Sequence, residues 1–286
     1  MLETHQLGHC VTAIENDKID GRQLLEINGP EFIDLLQKAG IAPYKARIAW
    51  ADLQRLIPAG GHAKHTIRAL IVGIDNYHGD LSTLRNSVKD ALAMKTKLES
   101  AGVEVTFVKN VTIDELKAET DKYVLSLNEG DVGILFYAGH GHMFNNTLRL
   151  MAIPKGEEPN YDTDTLMVEA LVNQMSKRKT EANLLLLDCC RDFRYKATTR
   201  GTPNARSDTV ISYACAPNHS AHDGDDVGHG LYTECVLRHI LTPNIDVIEM
   251  LTRIECDVEA FAANRKIDQV SQHTTSLKRK LYLFDV

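Results

Sequence analysis

No apolar run in the 286 residues approaches the 18 or more that a membrane helix needs. The opening MLETHQLGHC has no charged-then-apolar leader either. The expectation is a soluble, cytoplasmic protein with no membrane partner. Charge of one sign is not in excess, since 32 basic residues against 39 acidic give a formal net charge of −7. That balance provides no general attraction for nucleic acid. The glycine patterns that cradle phosphates are missing too: GIDNYHGD lacks the three-glycine dinucleotide fingerprint, and no GxxxxGKS/T occurs. Six cysteines are scattered without metal-like spacing, and the one close pair, Cys189 and Cys190, is adjacent, which does not suit tetrahedral chelation. They are expected to be reduced thiols, with no metal and no cofactor. There is no internal repeat or low-complexity tract.

What is present centres on two short apolar runs, DVGILFYAGHG from Asp131 to Gly141 and NLLLLDCCR from Asn183 to Arg191. Each reads as a buried strand, apolar throughout and too short for a helix. Polar residues crowd the C-terminal end of each: His140 after the first, then Asp188, Cys189, Cys190 and Arg191 after the second. In an open parallel sheet that edge is where ligands collect. A histidine and a cysteine on adjacent strand ends meet the minimum requirement for a thiol nucleophile with its base.

The rest of the chain fits around that pair. Residues 1–57 read as helical, with Leu24, Leu25, Ile27, Phe32, Leu35, Leu36, Ile48, Leu53 and Leu56 at helical spacing and Gly40 as a C-cap. PAGGHAKHT, residues 58–66, is a linker by composition. From residue 67 strands and helices alternate. IRALIVGI and VEVTFVKN read as strands flanking a helix on which Leu84, Val88, Ala91, Leu92 and Leu98 follow the period. Thr112 and Glu115 stand at capping-box spacing before a further helix. A helix is expected over 164–177, a strand at TVISYACA, two helices after it and a closing strand at KLYLFDV. This order predicts an α/β fold, a mostly parallel sheet with helices on both faces, preceded by a small all-α domain.

The stretch IDGRQLLEINGPEFIDLLQKAGIAPYKARIAWADL resembles a SAM domain, which implies self-association or protein partners; an unrelated helical cap is the alternative. The region from about Arg68 to Phe284 resembles the caspase-like cysteine proteases, and within them the paracaspases and metacaspases more than true caspases. Tyr137-Ala138-Gly139-His140-Gly141 is similar to the histidine motif, and Asp188-Cys189-Cys190-Arg191 to the D-x-C-R/H cysteine motif. The two stand about fifty residues apart in the family's order. The resemblance implies a caspase-like fold, Cys190 as nucleophile, His140 as general acid/base, and the amides of Gly141 and Cys190 as the oxyanion hole. Cys189, Cys215, Cys235 and Cys256 read as buried apolar residues, and His142 is the competing base. No third member of a triad is identifiable.

The residue two before the nucleophile is glutamine in true caspases and Asp188 here. Asp90 matches a second acidic pocket residue of paracaspases and metacaspases, its alternative being a solvated helix position. Two carboxylates favour a cation, so protein substrates with Arg, or Lys, at the P1 position are expected. Arg85 lies where a caspase arginine would fall and would favour the opposite specificity. The third acid of the paracaspase pocket falls on Ser220, with Asp223, Asp225 and Asp226 close by. RDFRYKATTRGTPNARSD reads as an exposed loop in which Arg194, Lys196, Arg200 and Arg206 are candidate self-cleavage points. The metacaspase resemblance brings calcium into view, but the acidic run Asp223 to Asp226 matches no EF-hand loop and reads as a solvated turn. The leading expectation is a cysteine endopeptidase that forms a homodimer through its protease domain. The alternatives are a catalytically silent caspase-like scaffold and a calcium-dependent metacaspase.

Overall fold

The computed structural model describes residues 29–43, 45, 46, 49, 65–144, 147–193, 208–216, 221–224 and 228–284. The chain divides into two compact units, Met1–Ala63 together with Asp285–Val286, and Lys64–Phe284. In the first, helix α1 (Gly29–Lys38) buries Phe32 and Leu36. It ends at Gly40, whose φ of 81° is left-handed and whose N–H donates to the carbonyl of Gln37. Leu24, Leu25, Ile27, Ile48, Leu53, Leu56 and the 58–66 linker lie outside the described residues.

The second unit is built on six strands: β1 (Ile67–Gly73), β2 (Glu104–Lys109), β3 (Val132–Ala138), β7 (Ala182–Asp188), β9 (Thr209–Tyr213) and β10 (Gln272–Thr275). Their order is β10-β9-β7-β3-β1-β2, and every pairing is parallel except β10 with β9. Alternation along the strands sends side chains into two cores. Ile71, Ile134, Phe136, Leu184 and Leu186 meet helices α2 (Ser87–Glu99), α5 (Leu231–His239) and α6 (Val247–Arg265) on one face. On the other, Leu70, Val72, Leu135, Leu185 and Leu187 meet α3 (Ile113–Ser126) and α4 (Val168–Ser176). The α/β fold with a mostly parallel sheet flanked by helices is therefore the observed one. The capping box forms as read, the Glu115 carboxylate accepting the N–H of Thr112 at 2.8 Å.

Four details depart from the sequence reading. Helix α2 begins at Ser87 and buries Asp90, Ala91, Met94 and Leu98, leaving Leu92 half exposed and Leu84 ahead of the helix. Residues 164–177 do not form one helix: Thr165–Met167 is strand β6, and only Val168–Ser176 is helical. Strand β6 belongs to a second sheet, β6-β5-β4-β8, with β4 (Gly141–Phe144), β5 (Thr147–Met151) and β8 (Asp192–Phe193). Among its described residues KLYLFDV contributes a single bridge, Asp246 with Tyr282, while the closing edge strand is the polar QHTT of β10. An edge strand paired on one side needs no continuous apolar run, so periodicity gave it no signal.

Candidate active site

Strands β3 and β7 are neighbours in register, Ala138 opposite Asp188. The residues just past each end, Gly139-His140-Gly141 and Cys189-Cys190-Arg191, are thereby brought together at the C-terminal edge of the sheet. Close backbone approach there depends on Gly141. A Cβ at that position would lie 2.7 Å from the Cys189 sulfur and 3.0 Å from the carbonyl oxygen of Cys190. Gly141→Ala is expected to cost about 1–3 kcal/mol through overpacking, read as a lower denaturant midpoint.

The two cysteines part at this point, as alternation in an extended segment requires. Cys189 is buried in the α3/α4 core. Burial, reinforced by Cys215, holds its thiol well above the ordinary value. Cys190 is half-buried, with its sulfur 4.0 Å from the carbonyl oxygen of Ala221. Cys215 and Cys235 are buried as read, whereas Cys256 is exposed. Arg191 is fully buried, its guanidinium 4.0 Å over the Tyr213 ring and donating to the Cys215 carbonyl at 3.4 Å, which ties the end of β7 to the end of β9.

His140 is held on three sides. Its N–H donates to the Tyr77 hydroxyl at 3.0 Å, and its carbonyl accepts from the Tyr137 hydroxyl at 2.8 Å. Its ring packs against that of Tyr77, with centroids 4.6 Å apart. The ring Nε2 lies 2.8 Å from the carbonyl oxygen of Ser82. A carbonyl can only accept, so Nε2 carries the proton, and in the neutral imidazole Nδ1 keeps the lone pair. No side-chain orienter was legible in the sequence because the orienter is main chain, and every residue carries a carbonyl. His142 is buried in β4 and stacks edge-on against Tyr161, with centroids 5.3 Å apart.

One cleft is lined by His140, Cys190, Asp90, Asp188, Asp223 and Gly230, among others. His142 lines a neighbouring pocket, which it shares with His140 and Cys190. Asp90 is 2% exposed, so it is not a solvated helix residue. One of its oxygens is 2.6 Å from Nδ1 of His229, and the other accepts the Gly230 N–H at 3.0 Å. Asp188 accepts from the Thr233 hydroxyl at 2.6 Å. A Cβ on Gly230 would lie 3.0 Å from an oxygen of each acid, so the glycine lets the two carboxylates flank the same point. Desolvation raises both to about 7, with the Asp90 charge adding to the shift of Asp188 and Asp223 adding to both. Asp223 sits in the same cleft, but its carboxylate accepts the backbone N–H groups of Arg85 and Asn86 ahead of α2. Arg85 is exposed and is not among the described residues that line the cleft. Ser220, Asp225, Asp226 and the basic residues of 194–206 lie outside the described residues. His229, Gly230 and Thr233 carried no motif in the sequence; the turn into α5 brings them to Asp90 and Asp188.

A caspase-domain family model, that of peptidase C14, matches residues 66–282. The chain belongs to the caspase-domain family. Among curated proteins, this caspase-like chain is 29% identical over 124 residues to human mucosa-associated lymphoid tissue lymphoma translocation protein 1, a stretch covering 43% of this chain and 15% of that protein. Its mouse homolog matches at 28% over 124 residues, 43% of this chain and 14% of the homolog. The match thus spans about one seventh of these relatives. Membership in the caspase-domain family points to a cysteine peptidase or a scaffold built on that domain. Among the described residues no helix is long and apolar enough to cross a membrane, and no group of three or more His, Cys, Asp or Glu side chains is arranged to hold a metal ion.

Proposed function

We propose that the chain is a cysteine endopeptidase that cuts proteins after arginine, and less well after lysine. The observation that carries this reading is one cleft in which a thiol, an imidazole, the buried carboxylate of Asp90 and the half-buried carboxylate of Asp188 meet. In the proposed reaction, Nδ1 of His140 takes the Cys190 proton while Nε2 stays on the Ser82 carbonyl. The thiolate adds to the scissile carbonyl, whose developing oxyanion is held by the amides of Gly141 and Cys190. The imidazolium then protonates the leaving amine as the C–N bond breaks, giving an acyl-enzyme and a free amino terminus. Water, deprotonated by His140, attacks the thioester, and the proton returns to Cys190 as the acid product leaves. Asp188 and Asp90 receive the substrate guanidinium, and no metal takes part.

Turnover of fluorogenic peptides differing only at P1, with and without calcium, tests this reading. Arginyl cleavage independent of calcium is the expected result; no cleavage of any peptide would favour a silent scaffold, and a calcium requirement the metacaspase alternative.

Residues 1–57 are proposed as a SAM-like module joined by residues 58–66 to a protease domain over 67–286 that works as a homodimer. Bringing copies together raises the effective concentration of protease domains. Deletion of 1–57 is therefore expected to make specific activity fall more steeply on dilution than in the full chain, as measured over a concentration series. Identical dilution curves would leave the module as a structural cap.

A further inference from the structure

An unperturbed carboxylate facing a cation is a fixed negative charge near neutral pH, but the surroundings of Asp90 and Asp188 make that charge conditional. We infer that His229 is a specificity-determining residue of the P1 pocket, forming with Asp90 a proton-sharing pair whose protonation switches off the pocket's preference for a cationic side chain. This rests on the arginine reading above and deepens it.

The pair is built into the pocket wall. Nδ1 of His229 is 2.6 Å from one oxygen of Asp90, and the next residue's N–H holds the other at 3.0 Å. Around the pair stand Lys89 on the helix of Asp90, Asp223 and His222 from the loop lining the cleft, Asp188 from β7 and Glu234 from α5, while the exposed Arg85 ahead of α2 gives its backbone N–H to Asp223. Lys89 is anchored on the Gly228 carbonyl and Asp223 on backbone amides, while Glu234 pairs with Arg238 and Arg265. Burial and the neighbouring Lys89 lower the His229 pKa, while burial raises that of Asp90 to about 7. One proton added to the pair removes one negative charge from the pocket whether it resides on the imidazole or on the carboxylate. Asp188, also raised to about 7, loses its charge over the same range. Because linkage is reciprocal, entry of a guanidinium must expel the proton that its absence admits.

The sign follows directly. Below pH 7 the acids hold protons and the pocket is close to neutral toward its ligand; above it they are ionised and attract a cation. The test compares kcat/KM for two peptides identical except for arginine or citrulline at P1 over pH 5.5–8.5. Ionisation of the Cys190–His140 dyad affects both and cancels in the ratio. In the wild-type chain the arginine-to-citrulline ratio is expected to rise about tenfold or more between pH 6 and pH 8 and then level off. In His229→Asn, whose amide can still donate to Asp90 but cannot take up a proton, the midpoint is expected to move acidward. A ratio that favours arginine but stays flat with pH, or a midpoint unmoved in His229→Asn, overturns the inference and leaves the arginine reading intact. A ratio near one at every pH overturns both.

Discussion

Cys190→Ala is expected to abolish peptide hydrolysis, while Cys189→Ala leaves it standing. The two sulfurs are adjacent in sequence but not in environment. Cys189 lies in the core beneath Gly141, its thiol held protonated by burial, so it can neither reach a substrate nor supply a thiolate. Cys190 faces the cleft that His140 lines. The alanine at 189 costs some packing and no chemistry. His140→Ala is expected to lower turnover by at least the roughly 10²–10⁴-fold typical of a general acid/base, without loss of the fold. An electrophilic peptide ketone, followed by mass spectrometry, checks the assignment: adduct on Cys190 is expected, and adduct on Cys189 alone would overturn it. A His140→Ala chain with near-normal turnover, alongside a His142→Ala chain without it, would transfer the base to the second histidine.

Arginine is expected to outrank aspartate at P1 by a wide margin. Two carboxylates flank Gly230 in a partly desolvated cleft, so a substrate carboxylate would add a further like charge, at a cost on the order of several kcal/mol. A guanidinium offers planar paired donors, whereas an ammonium is a point charge, and lysine should therefore be cut less well than arginine. Asp188→Asn keeps the shape and an acceptor for the Thr233 hydroxyl but removes the charge. Loss of one member of a buried charge pair costs about 2–5 kcal/mol, so arginyl kcat/KM should fall roughly 30-fold or more. Asp90→Asn should fall as much or less, because both Asp90 oxygens already have protein partners in His229 and Gly230. A measured preference for aspartyl peptides would mean that Arg85 reaches the pocket in solution, and the carboxylate reading would give way.

Much of this architecture is legible in the sequence. Strands β1, β3 and β7 declare themselves because a central parallel strand is buried on both faces and so must be apolar almost throughout. The Thr112–Glu115 box marks the start of α3 by chemistry confined to four residues. His140 and Cys190 stood out because each follows such a run, and an apolar run that ends abruptly in reactive side chains is visible in one dimension. The small sheet of β4, β5, β6 and β8 did not stand out, since its strands are two to five residues long and two of its pairings join segments far apart in the chain. Too few residues lie in each for a period to accumulate.

The site divides along the same line. Sequence by itself singled out Cys190, His140 and Asp188 as candidates, because each is a side-chain identity at or just past the end of a strand. Only the tertiary structure decided that Asp90 is buried rather than solvated, that Asp223 serves backbone amides ahead of α2, that Ser82 offers its carbonyl to His140, and that His229 shares a hydrogen bond with Asp90 across 139 residues of chain. Charge state, tautomer and desolvation belong to the neighbours a group has in space. Those neighbours come from α2, the turn before α5 and the loop over the cleft, and only folding brings them together.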